Sequence, residues 1–294
     1  MTDAEPGRLR RSLLFVPGAE PRKLERAREA GADTLLFDLE DSVAPQMKGE
    51  ARAHVAAALR SGGFGDAELA VRVNAPGTPD FEVDVEAVIE AGGRVLMLPK
   101  AENADGVARV AEKLLQCEAG RAGGLAKLLL LIESPAGVAN ATSIAAATPR
   151  VEALCFGHAD FSLLVGLAEA DASRGIVYHA RCSVVIAAKA HGVAPIDCIF
   201  PAVKDDDACR ADTQLGASLG YEGKMCIHPR QVQIANEVYT PSAAQIDYAQ
   251  RVIDACERAE AEGRGVFTVD DKMIDAPLVA QQRRILQRAS RNRR

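Results

Sequence analysis

Two carboxylates sit where carboxylates are costly. The segment KLLLLIESPAG carries Leu128, Leu129, Leu130, Leu131 and Ile132, and then ends directly in Glu133. A charge left unpaired at the end of a buried segment is unfavourable by about several kcal/mol. Glu133 therefore needs a counter-charge or a cavity that admits a ligand. A second carboxylate, Asp160, follows the next apolar run in CFGHAD. Neighbouring parallel strands lie about 4.8 Å apart, so carboxylates at equivalent strand ends repel unless a cation lies between them. Oxygen ligands without paired His or Cys favour magnesium over zinc, with waters and substrate oxygens completing the shell. Taken singly, each carboxylate has the alternative of an arginine partner or a helix cap.

Arg72, in LAVRVN, is an arginine inside a valine-rich strand and must face an anion. Either it clamps oxyanion charge that develops during a reaction, or it forms a salt bridge to Asp38 or Glu40 of DLEDS. Lys100, in MLPK, raises the prospect of a Schiff-base aldolase. No apolar pocket is evident around it to depress its pKa, as a reactive lysine requires. Asp197 in PID and His228-Pro229 stand near the last two apolar runs. A histidine in the place of His228 is more often structural than catalytic. By strand alternation His158 shares a face with Asp160 and points toward the same mouth.

These residues need a frame that brings strand ends together. Short apolar runs recur near Ser12–Val16, Thr34–Leu39, Leu69–Val73, Arg94–Leu98, Lys127–Ile132, Ala153–Gly157, Pro195–Phe200 and Gly223–Ile227. Most are unbroken rather than alternating, as in parallel strands covered on both faces. Helical patterns lie between them at Pro21–Ala30, Gly49–Leu59, Ala104–Leu115, Asn140–Ala147, Val177–His191, Asp205–Leu219 and Arg230–Val238. The repeat predicts an α/β fold, a (β/α)8 TIM barrel over residues 1–240, with an open doubly wound sheet as the rival. In such barrels the active site lies at the C-terminal strand ends, where the candidates above fall. Residues 241–294 depart from the repeat. Ser242–Glu262 has a long helical pattern, GRGVFTVDDKMIDAP is turn-rich, and Leu278–Ala289 is a final helix. The six arginines from Arg283 to Arg294 have the composition of a solvated terminus.

The chain of 294 residues, 26% charged with a formal net charge of -6, has the balance of a globular domain, and nothing in it points to nucleic acid or an anionic membrane. Tryptophan is absent, so stacking platforms for bases are poorly supplied. Seven cysteines, an odd number with no CxxC, argue against a disulfide framework and for a reducing cytoplasm. The N-terminus lacks the apolar core of a signal peptide, and no apolar run approaches a membrane span.

From about Arg10 to Leu286 the motifs RSLLFVPG, FDLEDSVAP, VRVN, LPK, IES, FGHADFS, GKMCIHPRQV and KMIDAP, in this order, resemble the citrate lyase β-subunit-like CoA-ester lyases of the HpcH/HpaI aldolase superfamily. The resemblance implies a TIM barrel that is commonly trimeric or hexameric. It implies magnesium on Glu133 and Asp160, and substrate contact with enolate stabilisation by Arg72. Asp38, Glu40 and Asp41 would hold the waters around the metal, with Asp41 beside the substrate. It puts Arg11 near the nucleotide part of CoA. It makes Asp275, contributed by a neighbouring subunit through a C-terminal lid, the acid/base at the reacting carbon. A cap for the final helix is the alternative for Asp275, which stands just before Ala276 and Pro277. His158 departs from the family pattern, as does CIFPAVKDDD after PID, and both bear on which acyl group is accepted.

The implied reaction is a reversible Claisen-type cleavage of a 3-hydroxy-3-carboxyalkyl thioester into a 2-oxo acid and an acyl-CoA. The rivals are a citryl-carrier lyase subunit, a malyl-CoA thioesterase, a pyruvate aldolase without CoA, and a non-catalytic assembly subunit.

Overall fold

A computed structural model describes residues 8–121, 123–169 and 171–291. The first seven residues and the last two arginines of the basic run lie outside them. The described residues form two compact units that divide between Asn236 and Glu237.

In the first unit eight parallel strands close into a barrel in sequence order. They are β1 (Ser12–Pro17), β2 (Thr34–Asp38), β3 (Glu68–Arg72), β4 (Val95–Leu98), β5 (Lys127–Ile132), β6 (Val151–Phe156), β7 (Ala194–Asp197) and β8 (Gly223–Cys226). β8 pairs back onto β1, with Leu13 opposite Met225, so the open-sheet rival is excluded. The connecting helices are α1 (Pro21–Arg26), α2 (Lys48–Ser61), α3 (Pro79–Glu90), α4 (Ala104–Glu118), α5 (Pro135–Ala139), α6 (Ala141–Ala145), α7 (His158–Leu164), α8 (Gly175–Ala190), α9 (Asp206–Leu219) and α10 (Pro229–Val238).

Three helices, α3, α5 and α7, escape the sequence patterns above. The pattern of α3 is legible in retrospect: Pro79 stands at its start, and Phe81, Val85, Val88 and Ile89 form its buried stripe. α7 is a short helix that begins at His158 itself. The predicted helix at Asn140–Ala147 corresponds to α6 alone, and α5 precedes it as a separate turn of helix ending at Asn140.

Strand periodicity decides which side chains reach the lumen. Leu13, Leu36, Ala70, Met97, Leu129, Leu131, Ala153, Cys155, Ile196 and Met225 fill the barrel interior. Stepping two residues toward the C-terminal end puts Asp38, Arg72, Glu133 and Gly157 on the lumen side of β2, β3, β5 and β6. Asp197 and Lys224, one residue from Ile196 and Met225, face the helices instead. There Asp197 accepts two hydrogen bonds from Arg181, at 2.8 and 2.5 Å, and Lys224 Nζ donates to Asp212 at 2.6 Å. These buried charges tie α8 and α9 to the barrel wall. Asp197 is therefore a structural carboxylate, and its place in PID does not put it at the mouth.

In the second unit α11 (Ala243–Ala261) and α12 (Ala276–Arg291) flank an antiparallel pair, β9 (Phe267–Val269) and β10 (Lys272–Ile274). The pair lies within the stretch expected to be turn-rich. Asp270 and Asp271 turn it with positive φ, a conformation aspartate tolerates better than most residues. Val252, Cys256, Ala259, Phe267, Ile274 and Val279 form the core of this unit. Ser242 and Gln245 start α11 with a reciprocal capping box. No helix among the described residues is long and apolar enough to cross a membrane.

Candidate active site at the barrel mouth

Glu133 is held between a strand and a helix. β5 ends at Ile132, and α5 begins at Pro135 with Ser134 as its cap, accepting from the Gly137 N–H at 3.0 Å. The motif IESP thus stops a buried strand, leaves one lumen-facing carboxylate and starts a helix. Glu133 is only 5% exposed. Its Oε1 accepts the Lys100 backbone N–H at 2.9 Å. Burial, followed by the nearby charges of Glu40 and Asp160, outweighs that hydrogen bond and pushes its pKa up to about 8. Gly157 passes so close that a Cβ there would lie 2.6 Å from Glu133 Cβ.

Arg72 and Asp38 are register partners on β3 and β2. Arg72 donates from Nε to Asp38 Oδ1 and from Nη2 to Oδ2, both at 2.7 Å. Burial alone would raise the Asp38 carboxyl, but the Arg72 contacts and the Ser42 and Glu40 N–H donors hold it below its ordinary range. Burial likewise opposes the Arg72 charge, and its three acidic neighbours more than restore it. The remaining edge, Nη1, lies 3.0 Å from Glu40 Oε2 and 3.4 Å from Asp41 Oδ2. The Glu40 contact is an ion pair without hydrogen-bond alignment, so this buried oxygen has no donor. The Phe15 ring stacks against the guanidinium, 4.8 Å from centroid to Cζ. The salt bridge weighed against the oxyanion clamp is thus present, with one edge of the arginine still turned to the acidic cluster.

A cavity of about 730 Å³ opens at this end of the barrel. Arg72, Glu133, Asp160, Asp38, Asp41 and His158 all line it. Asp160 lies on the first turn of α7 rather than at a strand end, so strand alternation does not relate it to His158. His158 is 4% exposed, and its buried Nδ1 has no hydrogen-bond partner. Burial first, then the Lys224 charge, lowers its pKa. His228 also lines the cavity, and its Nδ1 accepts the Arg230 N–H at 3.2 Å.

Other residues fall elsewhere. Arg11 precedes β1 at the opposite, N-terminal rim, where it forms a fork with Asp33 at 2.8 and 2.7 Å. It is not among the residues that line the mouth cavity. The cations on that wall are Lys23 and Arg26 of α1, neither of them singled out in the sequence. Lys100 Nζ donates to Glu40 Oε1 at 3.0 Å, and acidic neighbours raise its pKa despite burial. Those neighbours hold it charged, unlike the neutral amine of a Schiff-base lysine. Asp275, in the second unit, accepts the Leu278 N–H at 3.2 Å and caps α12.

Sequence reasoning also missed the support behind the acidic loop. Lys48 Nζ donates at 2.7 Å to Leu39 O, Glu40 O and Asn74 Oδ1. Asp84 accepts from Asn74 Nδ2 at 2.6 Å and from Arg52 Nε at 2.7 Å. The signal was available in α3, where a fully buried acid sits on an otherwise apolar stripe.

The donor set suits a hard cation. A buried carboxylate, Glu133, whose charge burial and the neighbouring Glu40 and Asp160 disfavour, one buried oxygen without a donor, and no cysteine among the described lining residues describe an oxygen site. Among the described residues no three acidic, histidine or cysteine side chains converge as metal ligands. Magnesium is commonly held by one or two carboxylates, with water and substrate completing the shell, so two are sufficient.

Comparison with known proteins agrees with this geometry. The beta subunit of citrate lyase from Leuconostoc mesenteroides subsp. cremoris is 36% identical over 287 residues, covering 97% of this chain and 95% of that protein. L-malyl-CoA/beta-methylmalyl-CoA lyase from Rhodobacter capsulatus is 35% identical over 306 residues, covering 97% and 96%. Among solved structures, CitE from Mycobacterium tuberculosis, in complex with magnesium, acetoacetate and coenzyme A, superposes with a TM-score of 0.79 at 29% identity, covering 96% of this chain and 98% of that one. The profile of the HpcH/HpaI aldolase/citrate lyase family matches residues 11–229, and with the two full-length relatives this shows that the chain belongs to that family.

Proposed function

We propose that this protein is a magnesium-dependent carbon–carbon lyase that cleaves or forms a 3-hydroxy-3-carboxyalkyl thioester of CoA. The products of cleavage are a 2-oxo acid and an acyl-CoA. The observation that carries the reading is the convergence of Arg72, Glu133 and Asp160 on one cavity at the barrel mouth. The magnesium, coenzyme A and acetoacetate bound by the Mycobacterium tuberculosis relative, and the malyl-CoA lyase relatives, support the ligand class.

Glu133 and Asp160 would hold the ion. When bound, magnesium supplies Lewis-acid polarisation and a template for the substrate's carboxylate and hydroxyl oxygens. Asp38 locks the Nε–Nη2 edge of Arg72, so Nη1 is preorganised toward the mouth, where it stabilises charge developing on the thioester oxygen. Glu40 and Asp41 border that edge and orient water. Asp275 of a second copy delivers the proton to the enolate carbon. In this role the second unit acts as a lid in a homo-oligomer, trimeric or hexameric. A cytoplasmic location belongs to the same reading, supported by seven unpaired thiols.

A second reading, the citryl-carrier lyase subunit of a citrate lyase complex, is favoured by the near-equal identity to the two kinds of relative. One assay panel separates them. Citramalyl-CoA, malyl-CoA, citryl-CoA and a citryl-carrier thioester are each offered with EDTA and with added magnesium. The lyase reading expects 2-oxo acid from at least one CoA ester, lost on chelation and restored by magnesium. Cleavage of the carrier thioester alone selects the second reading. Free acid and CoA without a 2-oxo acid would mark a thioesterase. Full activity after exhaustive chelation would sink the metal assignment.

A further inference from the structure

Lys100, two residues past β4, has φ at +54°, a region that L side chains rarely adopt. Backbone of this kind, when it recurs at a site, marks a local constraint. Here its consequence is visible. The turned backbone delivers the Lys100 N–H to Glu133 Oε1 at 2.9 Å, while Nζ of the same residue donates to Glu40 Oε1 at 3.0 Å. Glu133 follows β5 and Glu40 follows β2, so one residue after β4 grips carboxylates from two different strands. Glu40 in turn borders Arg72 Nη1 at 3.0 Å. Lys100 does not line the cavity, and its side chain is half exposed.

We propose that Lys100 is the positioning residue of this site: its left-handed backbone fixes Glu133 and its ammonium fixes Glu40, so that the metal-holding carboxylate and the Nη1 side of Arg72, bordered by Glu40 and Asp41, keep one mutual geometry before a ligand arrives. The inference rests on the lyase reading above. It assigns the lysine no covalent chemistry. Both handles act through neighbours, and substitution separates them. Glycine populates positive φ freely, so Lys100→Gly removes the ammonium and keeps the N–H donor in place. Lys100→Ala removes the ammonium and also disfavours the turned backbone. Lys100→Arg keeps a cation opposite Glu40.

The test uses the full chain and two readouts, with thermal unfolding to verify that each variant is folded. Magnesium binding is titrated by calorimetry without substrate, and kcat and KM are measured on the best CoA ester from the panel. Magnesium affinity should stay within about twofold of wild type for glycine and arginine and fall about tenfold for alanine, the scale expected when an outer-shell partner of a ligand is lost. Turnover should fall about tenfold in both the glycine and alanine variants with KM little changed, and arginine should restore it to within about threefold. Equal magnesium affinities for glycine and alanine overturn the backbone handle. Wild-type turnover in the glycine variant overturns the ammonium handle. If wild type is active and all three variants match it, this proposal alone fails. If wild type neither binds magnesium nor cleaves any ester, the lyase reading fails and takes the proposal with it.

Discussion

At the scale of single residues, the most informative group is Glu133. Its carboxyl is raised from the ordinary 4.5 to about 8, first by burial and then by Glu40 and Asp160. Between those values the folded state keeps a proton that the unfolded chain has released. Stability should therefore fall as pH rises through that window, reaching its full loss above the folded-state pKa. Glu133→Gln is neutral throughout and should lack this component of the fall. Urea unfolding with chelator from about pH 5 to about pH 8.5 measures both proteins, and the variant should overtake wild type toward the alkaline end. Parallel profiles would show that Glu133 is not held in its acid form. Magnesium should reverse the trend in wild type alone, because a cation that binds the ionised form stabilises the fold by mass action.

At the scale of elements, the β6–α7 turn sets the rotamer of a residue on another strand. Gly157 leaves room that an alanine would fill, its Cβ 2.6 Å from Glu133 Cβ and 2.9 Å from Oε2. Gly157→Ala should force either the carboxylate or the turn to move. We expect magnesium affinity to weaken about tenfold and stability to fall by about 1–3 kcal/mol from overpacking. Calorimetric titration and chemical unfolding read the two effects separately. An unchanged affinity would show that Glu133 keeps its geometry without this turn. The same logic explains α5, where Ser134 and Pro135 begin a helix directly after Glu133 and prevent the strand from running past it.

At the scale of the whole molecule, the proposed chemistry divides between two compact units, with Glu133 in one and Asp275 in the other. Asp275 caps α12, so both readings of this residue invoke the same carboxylate. Met273 and Leu278 on either side of it are exposed, giving the segment an apolar surface with which to dock. If the lid acts on a neighbouring copy, two inactive variants should complement each other. Asp275→Asn and Glu133→Gln, mixed after dissociation and reassembly, should regain part of the wild-type rate, because some mouths then carry both intact groups. Verified mixed oligomers that stay inactive would exclude action in trans. Asparagine also caps helices well, so this substitution should change the unfolding midpoint little.

The barrel was legible in sequence because parallel strands covered on both faces must be apolar along their whole length, and that signal repeats eight times. The unusual place of Glu133 was legible for the related reason that a carboxylate has no cheap place at the end of such a run. Parity along β7 was not: Asp197 was grouped with the mouth candidates, and only the structure shows Ile196 facing inward and Asp197 facing Arg181. What only tertiary structure decided is how side chains distant in sequence share partners. The Arg72 fork is taken by Asp38 because closure brings β2 and β3 into register. Arg11 belongs to the opposite rim, a matter of which strand end it precedes rather than of residue type. Lys100 grips Glu40 and Glu133 through a backbone conformation that lysine does not announce. Such pairings depend on closure and stagger of the barrel, which are collective properties of eight strands and are encoded in no single motif.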